Sequence, residues 1–175
     1  MIITFAEMLA VGGKSNSLGR VNDVIELVLH DKTNLNELYS CVFNEDAWVR
    51  MRAIDALEKI CRQHPNWLLP YVDKFQVDLN HSDQPSIQWH LAQIYDQVNL
   101  SPKQKLLAID WLKKLLSSVE TDWIVLANAM QTLVHFTKDN SFSKSDMVSL
   151  LKVQQKHKSK SVIKKVNKLL SELLN

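Results

Sequence analysis

The residues of this 175-residue chain that could do chemistry are six histidines, two cysteines and a run of lysines. The histidines (His30, His64, His81, His90, His135, His157) never stand at the i, i+4 spacing that puts two imidazoles on one helix face, and no His-Glu-x-x-His occurs. Cys41 and Cys61 lack the second pair a zinc framework needs, so they read as small hydrophobes of a reducing cytosol. Phosphate loops and nucleotide crevices lean on glycine's access to positive φ, yet the three glycines are Gly12, Gly13 and Gly19. That argues against a P-loop and against a Rossmann fingerprint. A Ser-His-Asp or Cys-His grouping is assembled from distant positions, and nothing in the chain singles one out. The sequence therefore predicts no catalytic residue, no metal site and no cofactor.

The lysines are unevenly placed. From Lys138 onward there are nine against three carboxylates, whereas the first 137 residues hold twelve basic and sixteen acidic groups. Such asymmetry can signal an acidic partner at the C-terminal end. Lys156, Lys158, Lys160, Lys164, Lys165 and Lys168 form the basic C-terminal patch. If they met phosphates, each contact would release a counterion and make binding salt-dependent. No aromatic residue for base stacking follows Phe142. The favoured reading is the polar outer face that the last unit of a repeat array needs to stay soluble.

The elements that must position these residues repeat. Val49, Ile87, Val125 and Val162, spaced by 38, 38 and 37 residues, each open an apolar ladder of one shape, as in Val49-Ala53-Ala56-Leu57-Ile60 and Val162-Val166-Leu169-Leu170-Leu173. A period of that length marks stacked helical hairpins, each burying its apolar face against a neighbour. Ten helices are expected, paired as 2–10 with 18–31, 34–43 with 46–62, 66–78 with 85–98, 102–117 with 122–137, and 144–156 with 160–174. Ser101-Pro102, Gln84-Pro85-Ser86, Thr121-Asp122 and Ser143-Lys144-Ser145-Asp146 supply helix starts. The start of the chain lacks a basic segment and reads as a helix rather than a signal peptide. No apolar run is long enough to span a membrane.

At Val42-Phe43-Asn44-Glu45-Asp46-Ala47-Trp48-Val49-Arg50-Met51-Arg52-Ala53-Ile54-Asp55-Ala56-Leu57 the chain resembles a HEAT repeat: an acidic loop, Val-Arg, alanine at the fourth position, and Ala-Leu closing the stripe. His64-Pro65-Asn66-Trp67-Leu68-Leu69-Pro70-Tyr71-Val72 looks like the family's proline-bent first helix. The other units keep the apolar skeleton but carry Gln88, Leu126 and Ile163 in place of the arginine. The specific match centres on 42–80, and the architecture extends over 34–175. The resemblance implies an all-α, right-handed α-α superhelix (a HEAT/armadillo-like solenoid) of about five hairpins whose second helices line a concave face. The expected domain is single, over 1–175, with a capping hairpin at 1–31 and repeats at 34–62, 66–98, 102–137 and 144–174.

Projecting the second helices places Met51, Asp55, Glu58 and Arg62 opposite the ladder, followed one period on by Trp89, Gln93 and Asp96, then by Gln131, and at the end by Lys164, Lys168 and Asn175. Of these, Met51, Asp55, Glu58, Arg62, Trp89, Gln93, Asp96 and Gln131 are the candidate partner-binding residues. Trp89 is either an open interface anchor or a ring packed by a rotated helix. Trp48, Trp67, Trp111 and Trp123 are expected to be structural. The favoured function is a non-enzymatic, cytoplasmic scaffold that holds a protein or peptide partner, with no membrane contact. The alternative is a nucleic-acid-binding protein resembling HEAT-like DNA alkylation-repair glycosylases, with Trp89, Asp96 and Asp55 as an aromatic-and-carboxylate site and lysines on the backbone.

Overall fold

A computed structural model describes residues 3–13 and 17–174. Ile2, Lys14, Ser15, Asn16 and Asn175, which the sequence reading places in the first helix, its loop and the last inner-face position, lie outside the described residues. The described residues form helices and turns, with no strand among them. The chain divides into two compact units, Met1–Pro70 with Gln97–Asn99 and Tyr71–Asp96 with Leu100–Asn175.

The first unit begins with α1 (Phe5–Ala10), closed by a capping box in which the Thr4 hydroxyl accepts from the Glu7 N–H at 3.2 Å and the Thr4 N–H donates to the Glu7 carboxylate at 2.7 Å. Gly19 takes a positive φ of 52° where the chain turns toward α2 (Val21–His30). Next come α3 (Leu35–Ser40), flanked by tight turns at Lys32–Asn34 and Cys41–Phe43, and α4 (Ala47–Gln63), capped by the Asp46 carboxylate on the Trp48 N–H. Leu9, Val24, Val28, Leu38, Ala53, Leu57 and Ile60 are fully enclosed, each large side chain contributing roughly 1.5–3 kcal/mol of burial. Arg50 Nη1 donates to the carbonyls of Asn44 and Glu45 at 2.8 Å each, tying down the acidic loop of the motif. The helix expected over 66–78 is instead broken. Here α5 (Pro65–Leu68), a tight turn at Leu69–Tyr71, α6 (Val72–Lys74) and a wider turn at Phe75–Leu79 follow one another. Pro70 has no N–H to continue the ladder, and the boundary between the two units falls directly after it.

The second unit holds α6, α7 (Pro85–Gln97, apart from its last residue), α8 (Pro102–Leu116), α9 (Trp123–Lys138), α10 (Lys144–Gln154) and α11 (Lys160–Leu174). From α7 onward the helices lie within a few residues of the expected ranges. Proline at the first position of α8, with Ser101 and Gln104 as a capping box, fixes its start. The turn after α9 needs a left-handed residue and, with no glycine there, uses Asn140 at φ 63°. Helices α8 and α10 pack side by side, as do α9 and α11, while α8 pairs with α9 and α10 with α11. The Thr132 hydroxyl donates to the Ala92 carbonyl at 2.9 Å and so sets α7 beside α9. First and second helices thus form separate layers in this unit.

A recurring device holds neighbouring hairpins together: a buried polar side chain donates to a main-chain carbonyl about one repeat away. Arg52 reaches the carbonyls of Leu9 (2.8 Å) and Ser17 (3.0 Å), Gln76 that of Gln104 (2.7 Å), Gln154 those of Leu116 (2.8 Å) and Ser118 (2.9 Å), and the Trp111 indole that of Asn80 (3.0 Å). All but the Gln104 carbonyl, which lies in the first turn of α8, are carbonyls that a helix C-terminus or a turn leaves without an intrahelical partner.

Candidate functional site

In the first unit α4 is covered by α1, α2, α3, α5 and the turn at Cys41–Phe43. Its burial therefore extends well beyond the apolar ladder. Asp55 and Glu58, expected on an open face, are buried, with Glu58 only 1% exposed. Glu58 Oε1 accepts from Arg62 Nε and from Gln97 Nε2, both at 2.6 Å, and the Lys59 ammonium lies 2.7 Å from the Asp55 carboxylate. Met51 is half-buried and Arg62 exposed.

In the second unit the expected positions come together on α7 and α9. Gln93 Nε2 donates to Asn128 Oδ1 at 3.0 Å. Asp96 holds His135 Nδ1 at 2.8 Å, and Gln131 Nε2 meets His135 Nε2 at 2.9 Å. With the amide donating to Nε2, the ring proton sits on Nδ1, facing the carboxylate. Trp89 is neither wide open nor enclosed: it is half-buried, stacked on the His90 ring with centroids 3.5 Å apart. His90 is 1% exposed, with Nδ1 2.6 Å from the Ser86 carbonyl. Neither Asp55 nor Asp96 is left as an open carboxylate beside an aromatic ring, the arrangement a glycosylase-like site requires.

The other tryptophans divide. Trp111 is buried with its edge against Tyr95, and Trp67 is half-buried and stacked on His64 at 4.2 Å. Trp48 and Trp123, expected to be structural, are 44% and 50% exposed. Both occupy the first turn of a helix, where side chains lean past the helix start and away from the packed body.

The lysine run is not one patch. Lys164, Lys165 and Lys168, with Gln131, Ser161, Leu169 and Glu172, line a groove of about 410 Å³ on α9 and α11. Lys156, Lys158 and Lys160 are exposed elsewhere, and Lys158 pairs with Glu120 at 3.8 Å. That pair edges a second cleft of about 540 Å³, formed by the starts of α7 and α9 and the α10–α11 turn, which helical projection could not anticipate. Several of its polar groups are already committed. Asp122 caps the Ile124 N–H at 2.8 Å, and the buried His157 bridges the Thr121 carbonyl (3.3 Å) and the Ser159 N–H (2.9 Å). In the groove, by contrast, Lys165 is half-buried and no carboxylate lies within ion-pair distance of its ammonium among the described residues. Burial, then the adjacent Lys168 charge, holds its pKa below the ordinary lysine value, with Glu172 offsetting part of the effect.

Cys41 and Cys61 are free and buried, and desolvation first, then Glu37 and Glu58 respectively, pushes the thiols up to about 11 and about 12. Both are therefore unreactive near neutral pH. Among the described residues no three His, Cys, Asp or Glu side chains are grouped to hold a metal ion, and no helix is long and apolar enough to cross a membrane.

No curated protein and no solved structure matches the chain. Residues 9–124 match the HEAT repeat domain. The match takes in α2 and its loop, outside the span that the repeat motifs suggest, and stops at the start of α9. Extending over more than half of the sequence, and joined to paired helices at the expected period, it places the chain in the HEAT-repeat family.

Proposed function

We propose that the protein is a non-enzymatic interaction module that captures a segment of a partner protein along the second helices α7, α9 and α11. HEAT repeats generally act as protein-interaction scaffolds. The observation that carries the reading is the row running from Gln93 and Asn128 through Asp96, His135 and Gln131 to the lysine groove. Side-chain amides and mixed charges in a row offer both donors and acceptors to a main chain. Trp89 adds a half-buried aromatic surface at one end. On the first unit, Met51 and Arg62 are the α4 positions assigned to a partner, and Asp55 and Glu58 serve the packing. The two buried free thiols fit a reducing, cytoplasmic compartment.

A photo-crosslinking side chain placed at Gln131, and separately at the exposed Glu26 of α2, tests this in a lysate of the source organism. A defined protein adduct at Gln131 and none at Glu26 is expected. Equal labelling at both positions, or a nucleic-acid adduct at Gln131, refutes the reading.

A further inference from the structure

We infer that the α9–α11 groove is a receptor for a carboxylate-rich stretch of the partner polypeptide, an inference that rests on the interaction reading above and gives it a ligand chemistry. Lys138 and Lys168 approach the carboxylate of Glu172, Lys164 and Lys165 line the groove beside it, and Glu172 is the one carboxylate in that lining among the described residues. Glu172 is shared at 3.7 Å from Lys138 and 3.9 Å from Lys168, beyond hydrogen-bond distance of either, so one carboxylate is divided between two ammonium groups. A lysine that merely caps an array keeps its ammonium in water, as Lys156, Lys158 and Lys160 do. Lys165 instead carries a partly desolvated charge with no carboxylate against it, a state that an incoming anion relieves. The volume of about 410 Å³ lies within the range of ligand-sized clefts, about 300–1,000 Å³.

The lining separates a peptide from a nucleic acid. Among the described residues no aromatic ring lines the groove to stack on a base. Glu172 and, further along the row, Asp96 would repel a continuous line of phosphates, whereas a peptide can place a carboxylate by Lys165 and a neutral residue beside Glu172. Gln131, whose Nε2 is engaged with His135, leaves its carbonyl oxygen to accept a main-chain N–H. Buried Leu169 supplies an apolar floor.

The test displays a random-peptide library to the full chain and measures the anisotropy of a labelled polyglutamate peptide, its polyglutamine counterpart and a single-stranded oligonucleotide. Work at about 0.15 M salt keeps screening to about 8 Å and suppresses loose attraction. Enrichment of acidic peptides is expected, with polyglutamate bound and polyglutamine not. The double variant Lys165→Glu/Lys168→Glu should lose roughly tenfold or more in affinity, and Lys156→Glu/Lys160→Glu should stay within about twofold. Lys165→Gln with Lys168→Gln repeats the measurement should the reversed charges disturb folding. Equal loss in the groove and control pairs, or tighter binding of the oligonucleotide, overturns the inference. Peptides enriched without acidic bias, yet released by Gln93→Ala and Gln131→Ala, overturn it while leaving the interaction module standing. A library that yields nothing sinks both.

Discussion

Arg52 is the buried cation of α4, 2% exposed, and it makes no ion pair among the described residues; its guanidinium is spent on the main-chain carbonyls of Leu9 and Ser17. Leu9 lies in the last turn of α1, whose carbonyls have no partner within the helix, so Arg52 acts as a distant cap on a six-residue element that cannot stand alone. Hydrogen bonds to a charged group are each worth about 1.5–3 kcal/mol net, and truncation leaves the buried Leu9 carbonyl dry and the part-buried Ser17 carbonyl without this partner. The desolvation cost of the cation disappears with it and offsets part of that loss. Arg52→Ala should therefore lower stability by about 3 kcal/mol, and Arg52→Lys, which keeps the charge but not the fork, by about 1–2 kcal/mol. Urea unfolding followed by far-ultraviolet circular dichroism reads the total. Hydrogen exchange should show protection falling over Phe5–Ala10 and holding over α8–α11. A change under about 0.5 kcal/mol for Arg52→Ala, with α1 amides as protected as before, would refute the reasoning.

Gln154 is fully enclosed and closes the C-terminal end of α8 through Leu116 and Ser118, so Gln154→Ala should cost about 1–3 kcal/mol in the same urea assay. Trp111→Ala should cost about 3–5 kcal/mol by emptying a packed site, whereas Trp123→Ala should cost under about 0.5 kcal/mol and remove the tryptophan emission most readily quenched by acrylamide. Lys165→Met should raise the melting temperature, because it removes a partly desolvated charge. The folded pKa of Lys165 is lowered, so the unfolded chain holds that proton to higher pH. Wild-type stability relative to Lys165→Met should then rise as pH climbs from that lowered pKa toward 10.5, and a difference that stays flat across the window would contradict the assignment.

Much of the architecture can be read from the ladder. A stripe repeating at one period must bury itself against its neighbours, and Val49, Ile87, Val125 and Val162 are all enclosed. Caps at Ser101, Asp46, Asp122 and Ser143 mark helix starts because short oxygen side chains meet the unpaired N–H groups there. The inner-face map fares less evenly. Helical projection assumes one covered side, but α4 is covered on several, and so Asp55 and Glu58 disappear into ion pairs and amide bonds. The stitching residues Arg52, Gln76 and Gln154 carry no sequence signal, since their partners are carbonyls that any residue could supply. Division of the lysine run follows from tertiary placement: Lys164, Lys165 and Lys168 face α9, while Lys158 turns to the Glu120 loop.

Hydrogen exchange of the full chain, free and saturated with a peptide selected from the display library, tests the binding surface most directly. The account predicts new protection over Trp123–Lys138 and Lys160–Leu174, with α2, α3 and α10 unchanged. Protection confined to the first helices α8 and α10, or to the loops around Trp123 and His157, would contradict it.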